Sequence, residues 1–332
     1  MNAIWTIARK ELSDSLRNRW LVAISVVFAT LALGIAWFGA AASGQVGYAS
    51  TPATIASLAS LGIFLIPLIA LLLAYDAIVG EEEGGTLLLL MTYPLSKSQL
   101  LLGKFMGHGL TLALATLIGF GVAGIAIAAL VEDVAIGALA AAMGRFIGST
   151  ILLGWGFIAL AYLVSVRVSE KPVAAGMALA IWFFFVLIFD LVLLGVLVAS
   201  EGKLNPELLP WLLMLNPTDI YRLLNIVAFG DSSQLSGVLS LGSDLPIGAV
   251  GLWLGLLVWC AVPLCGALLQ GCAAPIVAAQ GCRRLLTHCR CTGHPTDRLH
   301  AAAPGGSNVD YRVCHALCGA KGGSQGAPKG NN

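Results

Sequence analysis

Six long apolar runs divide this chain of 332 residues, and each is long enough to cross a lipid bilayer. A hydrocarbon core about 30 Å thick needs roughly 20 helical residues, since each residue advances the helix by about 1.5 Å. The runs cover residues 20–40, 55–79, 105–131, 146–166, 173–199 and 247–269. With 58% hydrophobic and 11% charged residues, the composition excludes an ordinary water-soluble domain. The sequence therefore predicts an all-α integral membrane protein with six transmembrane helices.

The first 19 residues form a separate amphipathic stretch. Apolar side chains recur there every fourth residue, at Ile4, Ala8, Leu12 and Leu16, while charged residues occupy the other faces. This pattern predicts a helix that lies in the membrane interface, with Trp20 among the lipid headgroups. The alternative is a polar N-terminal extension without that role.

Basic residues distinguish the two sides of the membrane. They precede the first run, follow the sixth and lie in the loops after the second and fourth runs: Arg9, Lys10, Arg17, Arg19, Lys97, Lys104, Arg167, Lys171, Arg283 and Arg284. The loop after the first run has no Lys or Arg, and the loop after the third has only Arg145 at its far edge. Because positively charged loops stay inside, we expect both termini in the cytoplasm and the chain in a bacterial inner membrane.

Three consecutive glutamates, residues 81–83, follow the second run on the predicted cytoplasmic side. A glycine pair, a short apolar stretch and a Tyr93-Pro94 stop come next, so residues 80–104 contain a short helix between breakers. The apolar stretch is too short to span a membrane and too apolar for water. Two interpretations stay open: a docking surface whose charged rim sets a partner's register, or a solvated loop that caps the second helix.

Two motifs resemble those of a known transporter family. The first begins with Glu83, Gly85, Thr86 and Leu87 and continues with Pro94, Ser96, Lys97 and Lys104. The second is "LNPTDIYRLL", which contains Asn216, Pro217, Asp219, Tyr221 and Arg222. In order and spacing they are similar to motifs of ABC-2 type permeases, the six-span subunits of ATP-binding-cassette exporters, in the branch associated with multicopper-enzyme maturation. The resemblance covers residues 1–270.

This resemblance implies a permease subunit required for copper-centre assembly of nitrous oxide reductase. Such a subunit forms a homodimer and binds a separate cytoplasmic ATPase through a coupling segment, residues 80–104. The coupling residues would be Glu81, Glu82, Glu83, Gly85, Thr86, Pro94 and Lys97. On the other side it would meet a periplasmic copper-handling protein, and either move a substrate or transmit ATP-driven motion to that partner. A general lipid or drug exporter of the same fold is the alternative.

The chain carries no signature of its own catalysis. It has no G-x-x-x-x-G-K-[ST] phosphate loop, and "LLGKF" lacks the hydroxyl that such a loop directs at Mg²⁺. H-E-x-x-H does not occur either. We therefore expect a non-catalytic subunit without a cofactor, with ATP and Mg²⁺ bound by the partner ATPase and copper handled by the complex.

The longest segment on the predicted outer side covers residues 200–246. Asp219 and Arg222 are three residues apart, so they are expected to pair on one face of a short helix. Together with Trp211 and Met214, this pair is predicted to contact a periplasmic partner or to stabilise the segment's own architecture.

Asp190 interrupts the fifth apolar run, where a charge costs roughly 2.5–3.5 kcal/mol. We expect it to meet a partner helix or water, either in a structural hydrogen bond or in a translocation path. His108, near the start of the third run, is interpreted as a structural residue. Met143 and Met214 carry the thioethers that Cu(I) prefers, but single methionines in apolar helices usually pack, so packing is the preferred interpretation of both.

All eight cysteines lie after Trp259, and the leucine-rich texture ends near residue 271. The tail, residues 271–332, is rich in Gly, Pro, Ser and Ala, a composition typical of disorder. We expect this tail to be disordered or not native to the fold. Because thiolates bind Cu(I) and Zn(II), a membrane-anchored metal-binding protein that acts through the Cys and His of the tail is a further alternative.

Overall fold

The computed structural model describes residues 3–38, 50–90, 92, 95–131, 135–200, 209–227 and 248–273. All of them except Ala273 belong to one compact unit, Met1–Cys272. The tail beyond Ala273, Pro94 and much of the segment 200–246 lie outside the described residues. The predictions made for those parts of the chain therefore stay predictions.

The described residues form twelve α-helices and one π-helical turn. In chain order they are α1 (Ala3–Arg17), α2 (Trp20–Phe38), α3 (Thr51–Ala74), α4 (Val79–Glu83), α5 (Thr86–Leu90), α6 (Lys97–Leu130), α7 (Ile136–Ser165), α8 (Lys171–Phe183), the π-helical turn (Phe184–Ile188), α9 (Phe189–Ala199), α10 (Leu209–Met214), α11 (Pro217–Val227) and α12 (Ala249–Ala273). Six segments are long and apolar enough to cross a membrane: Trp20–Phe38, Thr51–Glu83, Lys97–Leu130, Ile136–Ser165, Lys171–Ala199 and Ala249–Gly271. The prediction of an all-α protein with six spans is confirmed.

Two of the spans begin well before their apolar runs. Helix α6 begins at Lys97, where Ser96 and Gln99 form a capping box: the Ser96 hydroxyl accepts from the Gln99 N–H at 3.2 Å, and the Gln99 side chain accepts from the Ser96 N–H at 3.1 Å. Helix α7 begins at Ile136, so Arg145 lies inside a helix and not at the edge of a loop. Apolar runs mark the lipid-buried part of a span, whereas backbone hydrogen bonding and capping decide where its helix begins.

Small residues allow the spans to approach one another closely. A Cβ placed on Gly119 of α6 would lie 2.5 Å from the Cβ of Phe28 in α2, and one on Gly154 of α7 would overlap Leu112 of α6. The rings of Phe28 and Phe120 stack beside Gly119 with their centroids 4.9 Å apart. Close contact through small residues is the usual way in which helices associate in lipid, where no hydrophobic driving force acts between them.

Helix α1 lies against the start of α6 through the same device. Gly103 and Gly107 are four residues apart and face α1 on one side of α6. A Cβ on Gly103 would lie 2.7 Å from the Cβ of Ile7, and one on Gly107 would lie 2.5 Å from the Cβ of Glu11. These two glycines therefore form a cradle for α1, called the glycine cradle below.

The buried face of α1 differs from the predicted apolar stripe. Ala8 is buried as expected, but Leu16 is 51% exposed, and Glu11 and Ser15 are buried in its place. The face of α1 that packs on the glycine cradle is the one that carries Ile7 and Glu11. Glu11 is buried on this face because it pairs with a buried lysine on α6. The periodicity of apolar residues alone does not include that polar contact.

We predict that Gly107→Ala displaces α1 and lowers the free energy of unfolding by about 1–3 kcal/mol, the usual cost of an overpacked site. The added methyl would meet the Glu11 side chain and the Ala8 carbonyl. The measurement is the thermal unfolding midpoint of the purified protein in detergent. Gly121→Ala on the same helix is the matched control, since nothing lies within 4 Å of a Cβ there. Equal midpoints for the two variants would contradict the cradle.

Candidate functional site

The three glutamates at the end of the second span have different surroundings. Glu81 is directed into the bundle, with 18% of its side chain exposed, whereas Glu83 is exposed. Glu82 is partly exposed and takes part in an interaction within the chain. The predicted charged rim therefore contains residues that are positioned for different tasks.

A buried lysine joins α1, α4 and α6. The side chain of Lys104 is 6% exposed, and its Nζ lies 2.6 Å from Oε1 of Glu81 and 3.0 Å from Oε1 of Glu11. His108 lies behind this group, with Nε2 3.9 Å from Oε2 of Glu11, and its Nδ1 shares a 2.8 Å hydrogen bond with the Tyr162 hydroxyl. These five residues are called the lysine cluster, and His108 has the structural surroundings that the sequence predicts.

The charge of Lys104 keeps Glu11 ionised. Burial opposes the charged form of Glu11, but the attraction and the hydrogen bond of Lys104 outweigh burial and hold the pKa of Glu11 below its ordinary value. A carboxylate whose pKa is depressed in the folded state stabilises the fold at neutral pH, and that contribution is lost as the pH falls through its folded pKa. The Glu11 carboxylate is therefore charged at neutral pH.

Two further contacts hold the ends of α4. At its start, the Ser165 hydroxyl oxygen at the end of α7 accepts the N–H groups of Ile78 and Val79 at 3.0 and 3.1 Å. At its end, Oε1 of Glu83 accepts the N–H of Lys171, the first residue of α8, at 3.1 Å. Helix α4 thus contacts the ends of three different spans.

The turn between α4 and α5 has a different character. Gly85 adopts a φ of +69°, a left-handed conformation that glycine adopts without steric cost. The residues from Glu83 to Thr86 are all exposed, so this turn projects from the bundle. Lys97 is partly exposed at the start of α6. Of the predicted coupling residues, those of the turn are the most accessible to a partner.

We predict that Lys104→Met lowers the free energy of unfolding by about 3–5 kcal/mol, because it leaves Glu11 and Glu81 buried without their counter-charge. The measurement is the thermal unfolding midpoint together with the yield of folded protein. Lys10→Met is the control for loss of an exposed cation: Lys10 is 62% exposed and pairs with Asp14 at 3.1 Å and with Glu11 at 3.4 Å, and exposed pairs are worth less than about 1 kcal/mol each.

A triple variant, Lys104→Met with Glu11→Gln and Glu81→Gln, removes all three charges together. It should recover part of the loss, since a buried charge left alone is more costly than none. A single Lys104 variant that is as stable as the Lys10 control would contradict this account of the lysine cluster.

A second buried polar group surrounds Arg222 of α11. Its Nη2 lies 3.1 Å from Oδ2 of Asp190, and its Nη1 lies 3.4 Å from Oδ1 of Asp219. The side-chain amide of Asn216 donates to Oδ2 of Asp219 at 3.0 Å. These four residues are called the arginine cluster. The structure contains the pair between residues 219 and 222 that their spacing predicts, and it provides the partner for the intramembrane carboxylate.

The π-helical turn explains how α11 attaches to the fifth span, Lys171–Ala199. The N–H of Phe189 donates to the Phe184 carbonyl, five residues back, and not to that of Phe185 as in a regular α-helix. The Phe185 carbonyl instead accepts hydrogen bonds from the Asn216 amide at 3.0 Å and the Thr218 hydroxyl at 3.2 Å. Turns of this type occur frequently at functional sites.

Helix α11 is buried among the spans, and two hydrogen bonds fix it to α7. The hydroxyls of Tyr221 and Thr150 are 3.1 Å apart, and the Asn225 amide donates to the Ser149 hydroxyl at 2.9 Å. Thr150 lies 15 residues before the end of α7, which is about 22 Å along the helix. Ser149, Thr150 and Asn225 were not identified from the sequence, although hydroxyls within an apolar run are a detectable signal.

The methionines considered for copper have packing contacts. Met143 is buried beside Gly124, and Met214 of α10 lies against Gly255 of α12. Trp211, also on α10, is exposed. Across the described ranges, no group of three or more His, Cys, Asp or Glu is arranged to hold a metal ion. The described residues thus identify no metal centre in this part of the chain.

Burial raises the pKa of Asp219 to about 7, the nearby Asp190 carboxylate adds to this effect, and Arg222 opposes it. The native state thus holds a proton that the unfolded chain releases near pH 4, so stability falls as the pH rises towards 7.

We predict that Asp219→Asn, which keeps the shape of the side chain without titrating, flattens this dependence of stability on pH. Thermal unfolding midpoints between pH 5 and 8 measure it, with Asp14→Asn as a control that keeps the wild-type slope. A variant with the wild-type slope would contradict the assignment.

Six spans with one buried and one partly buried charge cluster define a multi-pass membrane protein. Residues 5–270 match the family model described as "ABC-2 family transporter protein", and this chain belongs to that family. Over 264 residues it is 69% identical to the "Probable ABC transporter permease protein NosY" of Stutzerimonas stutzeri, and 66% identical to the protein of the same description from Pseudomonas aeruginosa. Each alignment covers 80% of this chain and 96% of the relative.

These findings confirm the family resemblance predicted from the two motifs. The chain is the permease subunit of an ABC transporter and a multi-pass protein of the inner membrane. The match to the family model ends at residue 270. The matched region therefore contains both charge clusters and all of the predicted coupling residues.

Proposed function

We propose that this permease subunit serves copper-centre assembly of nitrous oxide reductase, coupled to ATP hydrolysis by a separate cytoplasmic ATPase. High identity to permeases described as NosY over nearly their whole length supports this assignment. The observation that carries the coupling role is the exposed turn of residues 84–86, which follows the partly buried helix α4. The permease itself is non-catalytic and holds no cofactor, while ATP, Mg²⁺ and copper belong to its partners.

The bundle end that carries α1, α4 and the start of α6 is assigned to the cytoplasm. The basic residues of α1 lie there together with Lys97, Lys171 and Arg167. The start of α8 lies at the same end, because the N–H of Lys171 donates to Glu83 of α4. The end of α12 lies there too, because the Nε of Arg167 donates to Gln270 at 2.6 Å. Positive charge of this kind is retained on the inner side.

The turn and α5 form the proposed ATPase contact. The turn is exposed, and Gly85 within it adopts a left-handed backbone conformation. The apolar residues of α5 need a protein groove or the membrane surface. Glu82 and Lys97 would set the register of the partner at the rim. Glu81 is directed into the lysine cluster and so is assigned a role inside the chain.

On the opposite side, α10 is assigned to contact with a periplasmic copper-handling protein, and Asp219 and Arg222 of the buried α11 are assigned to the architecture of the bundle. Trp211 of α10 is exposed there. The homodimer needs an apolar contact between subunits, and the fifth span offers exposed side chains that include Phe184, Leu191 and Val192. Whether the dimer moves a substrate or only transmits motion, both versions require coupling between the two ends of the bundle.

The first test is co-purification of the tagged permease from its native membrane, followed by mass spectrometry. We predict that Glu82→Lys with Thr86→Arg lowers recovery of the ATPase roughly tenfold or more, since a reversed charge and a bulky cation at a rim disfavour a matched partner. Both residues lie at the turn, and the buried Glu81 is left intact. Asp14→Lys, a charge reversal at an exposed pair on α1, is the control and should keep normal recovery.

Two outcomes would overturn the proposal. Wild-type permease that recovers no ATPase would remove the coupling role. Full copper content of nitrous oxide reductase in a strain lacking this permease would favour a lipid or drug exporter instead. Removal of the residues after 273 tests the metal-binding alternative, because the permease proposal predicts an unchanged copper content.

A further inference from the structure

Helix α4 is bonded to other spans of the chain, whereas the turn that follows it is exposed and is the proposed ATPase contact. The turn at residues 84–86 is exposed, whereas α4 is bonded to other elements of the chain at its start, middle and end. Each contact leads to a different span: Ser165 to the fourth, Lys104 to the third and Lys171 to the fifth. A helix of five residues with these three attachments has little freedom to move alone.

The contact with Ser165 replaces a missing helix cap. The N-cap residue of α4, Ile78, makes no side-chain capping bond, and the first N–H groups of a helix lack partners within it. The Ser165 hydroxyl accepts two of them, and Ser165 itself is fully buried. An acceptor from another span thereby performs the task that a local Ser or Asp usually performs. Displacement of α4 away from α7 would leave these groups unsatisfied.

The contact with Glu83 replaces a second missing cap. The N-cap residue of α8, Glu170, makes no side-chain capping bond, and the Glu83 carboxylate accepts the N–H of Lys171 instead. A negative charge at a helix N-terminus is favourable, because the peptide dipoles leave partial positive charge there. The end of α4 and the start of the fifth span are therefore joined by a charge-assisted hydrogen bond.

Apolar packing also joins α4 to α7 and α8. Val79 is completely buried and packs with Val164 and Ala174 of the two adjoining spans. A Cβ on Gly80 would lie 3.0 Å from the Cε of Lys171, so the Lys171 side chain lies against α4 at this point. A push on the turn would accordingly displace the start of the fifth span together with α4.

The fifth span then leads to the opposite end of the bundle. Phe185 lies 14 residues after Lys171, about 21 Å along the helix. Its carbonyl is bonded to Asn216 and Thr218 of the α11 region, and Asp190 of the same span is paired with Arg222. A tilt at the start of α8 would thus be felt at the arginine cluster.

We propose that Ser165 and Glu83 are positioning residues: Ser165 holds the start of α4 against the fourth span, and Glu83 passes ATPase-driven displacement of α4 to the fifth span and through it to α11. This inference deepens the proposed function and rests on it. The residues act between elements of this chain and leave ATPase docking to the exposed turn and α5. Loss of either contact should lower the amount of copper centre assembled per ATP hydrolysed, while the ATPase stays bound.

The test compares Ser165→Ala and Glu83→Met, which each remove a hydrogen-bond acceptor, in the complete complex purified from membranes. Three quantities are measured for each variant: the amount of ATPase recovered, the ATP hydrolysis rate, and the copper content of nitrous oxide reductase matured in the same cells. We expect ATPase recovery and hydrolysis near wild type, with matured copper per ATP hydrolysed lowered at least roughly fivefold, the lower range of a typical coupling energy. Ser165→Thr retains the hydroxyl acceptor and should restore the ratio.

Ser57→Ala is the matched control, since the Ser57 hydroxyl bonds only the Ala53 carbonyl of its own helix and lies at the surface. Unchanged copper per ATP in both test variants would overturn the inference and leave the proposed function standing. Loss of the ATPase from either variant would overturn it as well, because α4 would then be a docking element. If Ser165→Ala fails to accumulate, the surface variant Glu83→Met decides the question alone. Failure of wild type to recover an ATPase would instead refute the proposed function.

Discussion

The buried ammonium of Lys104 is the charge around which one end of the bundle is assembled. An ammonium removed from water at this depth needs more than one oxygen partner, because desolvation of a charge costs several kcal/mol in a protein interior. Glu11 and Glu81 provide those oxygens from two elements that are distant in sequence. The amphipathic helix and the glutamate turn are therefore held by the same residue. The glycine cradle is a consequence, since α1 must approach α6 closely for Glu11 to reach Lys104.

The same physical constraint governs the arginine cluster. Backbone and side-chain polar groups within lipid must be satisfied inside the protein. Asp190 has Arg222, Arg222 has a second carboxylate, and the carbonyl released by the π-helical turn has two donors from the α11 region. In each cluster, removal of one partner would leave the remaining polar groups without a counter-charge or a hydrogen bond. The residues of a cluster are therefore expected to keep their contacts when the helices move.

Sequence reasoning succeeded where a single physical rule dominates. Six runs of apolar residues have the length that a bilayer requires, and six spans result. It was less successful where two segments must meet. Nothing in "EEE" shows that Glu81 is directed inward to Lys104 while Glu83 caps a helix 88 residues later, because those contacts depend on how four helices pack. The buried face of α1 was misplaced at Leu16 for the same reason.

The fifth span is the part of the bundle best suited to move between the two clusters. In its most apolar window 11% of the residues are buried, compared with 67% in α7, so its displacement breaks few apolar contacts within the chain. Its polar attachments are concentrated at its start, through Glu83, and around the π-helical turn, through Asn216 and Arg222. A helix that is loosely packed along its length and firmly bonded at two points moves with those points. The distribution of burial and hydrogen bonds thus favours α8 and α9 over α7 as the connection between the ATPase side and the outer side.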